Sequence, residues 1–204
     1  MNDTEGACAL EAGLCPDSRA RSILGQLDQH LAKWEEGATA LLIAAIFVIL
    51  TGNVILRAFG APLLWADEAA ILLMACAAFL GAAVALARGQ HMAVTLLSDN
   101  LPPRLRHPLA IGVDLVVLGF FVVLAWLCWR WFDPIHAFGA ESLTAYSQQT
   151  FNFIYQERTL TLGLQKVWFW LVLPLFAILS IVHALAALER DIRIARNEQE
   201  GRSQ

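Results

Sequence analysis

Charged side chains in this chain fall into clusters, and four long apolar runs separate them. Gly37 to Leu56 carries no charge between Glu36 and Arg57, and Ala69 to Ala87 is nineteen residues without one. Pro108 to Trp129 holds only Asp114, and Val167 to Leu188 holds only His183 between Lys166 and Glu189. About 20 apolar residues cross a ~30 Å hydrocarbon core as a helix. A helix also satisfies its own backbone hydrogen bonds where no water is present. The pattern predicts four transmembrane helices, at 37–56, 66–87, 108–130 and 167–188.

A different periodicity precedes the first run. Between Asp17 and Glu36, Ile23, Leu24, Leu27, Leu31 and Trp34 recur at helical spacing, with Arg21, Asp28, Gln29 and Lys33 elsewhere around the wheel. That predicts an N-terminal amphipathic helix lying in the membrane interface and leading into the first span. Met92 to Leu101 places Val94, Leu97 and Leu101 on one side, ends at Pro102 and Pro103, and is suited to lie flat at the same surface. The expected fold is therefore an all-α integral membrane protein. Residues 1–17 form a flexible N-terminal tail, 18–189 a single four-helix membrane domain and 190–204 a second tail, with no room for a separate soluble domain.

Composition agrees: 58% of the residues are hydrophobic, and the net charge of -4 gives no reason to expect nucleic acid as a partner. The distribution of charge adds an orientation. Ten of the fourteen basic residues (Arg19, Arg21, Lys33, Arg88, Arg104, Arg106, Arg190, Arg193, Arg196 and Arg202) lie on one side of the predicted spans. Lys and Arg accumulate in cytoplasmic loops, so both termini are expected in the cytoplasm. Six of the seven Trp residues then mark the outer interface, and Trp34 the inner one. Residues 1–16 lack the basic start and apolar core of a cleavable signal peptide. Cys8 and Cys15 fall in the reducing compartment, and Cys76 and Cys128 within spans, so no disulfide framework is expected.

The chemistry available inside the spans is sparse. Of the five His residues only His183 lies in a span, which argues against a bis-His haem, and no zinc spacing, phosphate-binding glycine turn or catalytic triad is evident. No enzyme activity and no cofactor are expected. Asp114 and His183 both lie near the cytoplasmic ends of their spans, which makes a buried polar pair possible, in a structural or a proton-relaying role. Ala77, Gly81 and Ala85 recur every four residues on the second span, a spacing that lets another helix approach closely in lipid. Pro174 is placed to kink the fourth span. The loop from Phe132 to Gln165 carries Phe138, Tyr146, Phe151, Phe153 and Tyr155 among polar groups; it either docks a soluble partner or caps the bundle at headgroup level.

Four motifs in order resemble a known family: Thr51-Gly52-Asn53-Val54-Ile55-Leu56-Arg57, Trp65-Ala66-Asp67-Glu68, Phe79-Leu80-Gly81-Ala82-Ala83 and Arg88-Gly89-Gln90-His91. Together with four spans and an interfacial lead-in, they resemble the small membrane subunit, the DctQ type, of tripartite ATP-independent periplasmic (TRAP) transporters. The resemblance implies a scaffold subunit of a secondary-active, sodium-coupled symporter in the bacterial inner membrane. A periplasmic binding protein would deliver a C4-dicarboxylate or other organic acid, and a large multi-spanning subunit of DctM type would carry the substrate and ion sites. Asn53, Arg57, Trp65, Asp67, Glu68, Arg88 and His91 are then candidates for assembly or docking. Asp67 and Glu68 open the second span, where acids suit a helix N-terminus. Glu68 either does only that or pairs with Arg57 across the short first loop, with Asn53 one turn away. Arg88 and His91 either bind lipid phosphate, contact the large subunit or simply snorkel. Two other classes stay open on the residues alone: an autonomous homo-oligomeric transporter or channel, and a membrane enzyme subunit or redox anchor.

Overall fold

A computed structural model describes residues 23–88, 103–140 and 142–202. Those residues form seven helices: α1 (Ile23–Ala58), α2 (Ala66–Ala87), α3 (Pro103–Phe132), α4 (Pro134–Gly139), α5 (Leu143–Thr150), α6 (Val167–Trp170) and α7 (Val172–Arg202). Four of the helical stretches are long and apolar enough to cross a membrane. Cys8, Cys15, the tail 1–17, His91 and the stretch Met92 to Leu101 lie outside the described residues.

Local chemistry sets where these helices stop. After α1 the Ala61 N–H donates to Leu56 O and the Gly60 N–H to Arg57 O, a Schellman ending that requires a left-handed residue, and Gly60 supplies it at φ 76°. At the end of α3, Asp133 takes φ 39°, a left-handed turn that Asp tolerates, and Pro134 starts α4, since proline fits the first helical position. The fourth span is interrupted at Leu171, between α6 and α7. Pro174 has no N–H for Trp170 O, and its ring crowds that carbonyl, so the expected kink appears as this break.

The amphipathic stretch leads into the first span without a break, giving one helix of 36 residues, about 54 Å long at ~1.5 Å per residue. The bundle buries three residues of α1, namely Asp28, Glu35 and Asn53, and all three are polar. Its apolar side chains, Ile23, Leu27, Trp34 and Leu41 among them, face outward. That inversion is what a hydrocarbon solvent favours, since polar groups are satisfied inside and apolar ones cost nothing in lipid.

Packing pairs α1 with α2 and α3 with α7, and the α2–α7 contact joins the two pairs. At the join, Phe176 of α7 sits between Phe79 of α2 (ring centroids 5.4 Å apart) and Phe121 of α3 (5.5 Å). Ala83 completes this cluster, and its methyl lets the phenyl rings approach the α2 backbone. The buried line along α2 runs Ala66, Ala69, Ala70, Ala77, Leu80, Ala83 and Ala87. The expected strip of Ala77, Gly81 and Ala85 follows it only in part. Ala77 is buried and Gly81 faces the Thr39 methyl, but Ala85 is exposed. At about 3.6 residues per turn, a four-residue step advances roughly 40° around the helix, so two steps carry Ala85 off the seam.

Candidate functional site

Polar side chains gather at two places, one at each end of the bundle. At the end bearing the long loop, Asn53 is almost fully buried and ties together three segments. Its Oδ1 accepts from the Leu63 N–H at 2.8 Å and its Nδ2 donates to Asp67 Oδ1 at 3.4 Å, so the last turns of α1, the connecting turn and the first turn of α2 are held together. Arg57 lies 3.8 Å from Asp67 Oδ2 on the exposed side of this cluster. Of the two roles open to Glu68, pairing with Arg57 is not the one adopted: Arg57 stands beside Asp67 instead.

Glu68 turns the other way, toward a segment over ninety residues distant in sequence. Its Oε1 accepts from Leu160 N–H at 2.7 Å; its Oε2 accepts from Thr161 N–H (2.7 Å), Thr161 Oγ1 (2.5 Å) and Leu162 N–H (3.4 Å). Successive N–H groups converging on one carboxylate require a tightly turned tip. Gly163 at φ 70° permits it, and the Thr159 N–H, 2.8 Å from Leu164 O, closes it. Asp67 and Glu68 both lie in the first turn of α2, whose N-cap residue Trp65 makes no side-chain cap bond.

The rest of the loop is folded onto the bundle rather than free. Tyr146 is buried and donates to Asp133 Oδ2 at 3.3 Å, Asn152 donates to Trp131 O at 2.7 Å, and Tyr155 donates to Phe132 O at 2.6 Å. Burial, with Tyr146 and Asp133 nearby, pushes the Tyr155 phenol above its ordinary pKa, so it keeps the proton it donates. Phe132, Ile154 and Val167 form a small core beneath. The aromatic loop thus divides. Tyr146 and Tyr155 cap the bundle, while Phe151, Phe153, Leu160, Leu164 and Trp168 stay exposed.

The opposite end, rich in arginine, holds the second cluster. His183 is 1% exposed; its Nδ1 stands 2.6 Å from Asp28 Oδ1 and its Nε2 3.0 and 3.2 Å from the two oxygens of Glu35. Asp28 and Glu35 are two helical turns apart on α1, so both reach the same imidazole from one face. Asp114 does not form the pair with His183 that depth alone made possible; it faces Asp191 and Arg190 in the middle of α7. Depth places two groups in one layer, but the rotation of α3 and α7 decides which side each group meets. Arg88 donates from Nε and Nη2 to Glu36, which ties α2 to α1. Cys76 and Cys128 are free thiols on span helices.

The model of the family described as tripartite ATP-independent periplasmic transporters, DctQ component, matches residues 46–194. This chain belongs to the DctQ family. As a DctQ chain it is a transporter component rather than an enzyme, and a multi-pass protein of the bacterial inner membrane. It is 34% identical over 96 residues to the sialic acid TRAP transporter small permease protein SiaQ of Vibrio cholerae, covering 45% of this chain and 56% of that protein. It is 26% identical over 164 residues to the sialic acid TRAP transporter permease protein SiaT of Haemophilus influenzae, covering 78% of this chain and 23% of that protein. The matched stretch thus spans little more than half of the first relative and less than a quarter of the second.

In this DctQ chain Asn53, Arg57, Asp67 and Glu68 are brought to one end, with Trp65 partly exposed beside them. Arg88 is at the other end. Asp28 and Glu35 were not legible as site residues. Asp28 reads as part of the polar face of an amphipathic helix and Glu35 as half of a boundary Glu-Glu pair. The available signal was their seven-residue spacing in a helix opposite an intramembrane His.

Proposed function

We propose that this DctQ chain is the small scaffold subunit of a sodium-coupled, binding-protein-dependent importer of organic acids, with both termini in the cytoplasm. It braces a large multi-spanning permease subunit of DctM type, and its loop end helps receive a periplasmic solute-binding protein. The observation that carries this reading is the family match over residues 46–194. The similarity to a segment of SiaT, a permease of which this chain covers 23%, supports a physical association with a larger permease part. The names of both relatives point to a carboxylate-bearing solute of the sialic acid kind.

The loop end suits a receiving surface. Glu68 anchors the 160–162 tip to α2, next to the Asn53–Asp67 cluster, and Leu160 at that tip is 93% exposed. Phe59 and Leu64, in the turn between α1 and α2, are exposed at the same end. Aromatic and aliphatic groups on an anchored frame provide contact area without a large ordering cost on binding.

The test is purification of the tagged chain from its native membrane in mild detergent, with mass spectrometry of what stays bound. A large multi-spanning protein in fixed ratio is the expected result. Recovery of this chain alone as a stable homo-oligomer overturns the scaffold reading in favour of an autonomous transporter or channel.

A further inference from the structure

The Asp28–His183–Glu35 cluster is a buried ionic site joining α1 to α7, and its hydrogen bonds fix a proton count. Each of its two short contacts, Nδ1 to Asp28 at 2.6 Å and Nε2 to Glu35 at 3.0 Å, needs a hydrogen between the heavy atoms. A neutral imidazole carries one N–H and an ionised carboxylate none, so one proton on the set leaves a ring lone pair facing a carboxylate oxygen. Two protons satisfy both contacts. With one, two buried acceptors face each other, and neither has water to turn to.

We propose that Asp28, His183 and Glu35 form a proton-dependent latch: with two protons it holds the arginine-rich half of α1 against α7, and loss of one to a base in solvent releases that half.

The surroundings favour release at this point. The α1 segment below Glu35 presents Ile23, Leu27 and Trp34 outward, and its buried residues are the two acids of the latch, so few apolar contacts hold it once the imidazole lets go. Toward the loop end the seam offers buried hydroxyls, Thr39 Oγ1 one turn along α1 and Ser180 Oγ one turn along α7, and neither has a hydrogen-bond partner. Other charged groups at this end are largely engaged with each other. Glu36 of α1 pairs with Arg88 of α2, Glu189 of α7 with Arg193, and Arg190 with Asp191, which Asp114 of α3 also faces. His30 and Lys33 of α1 are exposed, and Arg106 and His107 stand near the start of α3.

The experiment uses the full chain in lipid nanodiscs, with its four cysteines replaced by alanine and spin labels at Leu27→Cys and Ile194→Cys, two exposed sites on the segments that the latch joins. The expected result is a narrow interlabel distance at about pH 6 that is lost at about pH 10 and returns on acidification, a range bracketing ordinary imidazole titration. Glu35→Gln supplies an amide N–H that never titrates, so a neutral His183 satisfies both neighbours; this variant keeps the narrow distance at both pH values. Asp28→Asn does the same from the other side. An unchanged distance in the parent chain overturns the latch. So does loss of the distance in both amide variants at either pH.

Discussion

Asn53 and Arg57 show how burial ranks two residues of one motif. Asn53 is 3% exposed and both ends of its amide are used, so truncation removes its bonds to the Leu63 N–H and to Asp67. Asn53→Ala is expected to cost about 1 to 3 kcal/mol, from two hydrogen bonds at roughly 0.5 to 1.5 kcal/mol each. Arg57 meets Asp67 at 3.8 Å in the open, where ion pairs contribute little, so Arg57→Ala is expected to change stability far less. Thermal unfolding of the two variants in detergent checks the order; equal losses would mean that the ion pair holds the turn as firmly as the amide. Reversing Arg57 and Glu68 together should not restore a protein damaged by either reversal, because the two side chains have different partners.

Helices and the loop show the same logic one level up. Glu68 is the tether between α2 and the 160–162 tip, since it accepts every bond that this tip donates to α2. Glu68→Ala should leave the spans folded and make the segment around Leu160 a new site of limited proteolysis. Cleavage no faster than in the parent would show that the Thr159–Leu164 closure alone orders the tip. Along α2 the seam discriminates between neighbouring alanines. Ala83 is fully buried against Phe121 and Phe176, so Ala83→Leu overpacks and is expected to cost about 1 to 3 kcal/mol. Ala85→Leu points away from the seam and should be nearly silent in the isolated chain. If Ala85→Leu instead destabilises the purified complex, that face is where a partner helix packs.

For the molecule as a whole, the two ends carry different chemistry. The arginine-rich end carries the latch and the loop end the tethered tip, and the positive-inside tendency assigns the former to the cytoplasm. Cysteines introduced singly at Leu160 and Ile194, both exposed, should react with a membrane-impermeant maleimide from the periplasmic and the cytoplasmic side respectively. The reverse pattern would invert the proposed topology and place the loop where no periplasmic protein can reach it. The two ends also differ in how they are held. The loop end is fixed by several independent hydrogen bonds to main chain, and the arginine-rich end by a few charged groups that share protons and salt bridges.

Four spans, the all-helical class and the DctQ family were all legible in the sequence. Each rests on a local property: a charge-free run matched to bilayer thickness, or a short motif in a fixed order. Pro174 likewise acts through its own backbone geometry, so its effect on the fourth span follows from position. What only the tertiary structure decided was pairing. His183 meets residues 155 and 148 positions away, and Glu68 meets a tip over ninety positions away. Sequence depth put Asp114 and His183 in one layer, and proximity put Glu68 beside Arg57. The rotation of each helix about its axis, which packing at the Phe79–Phe121–Phe176 join and along the α2 alanine seam helps to fix, chose other partners. A hydrophobic run specifies that a helix crosses the membrane. Which of its sides faces protein rather than lipid depends on every other helix in the bundle.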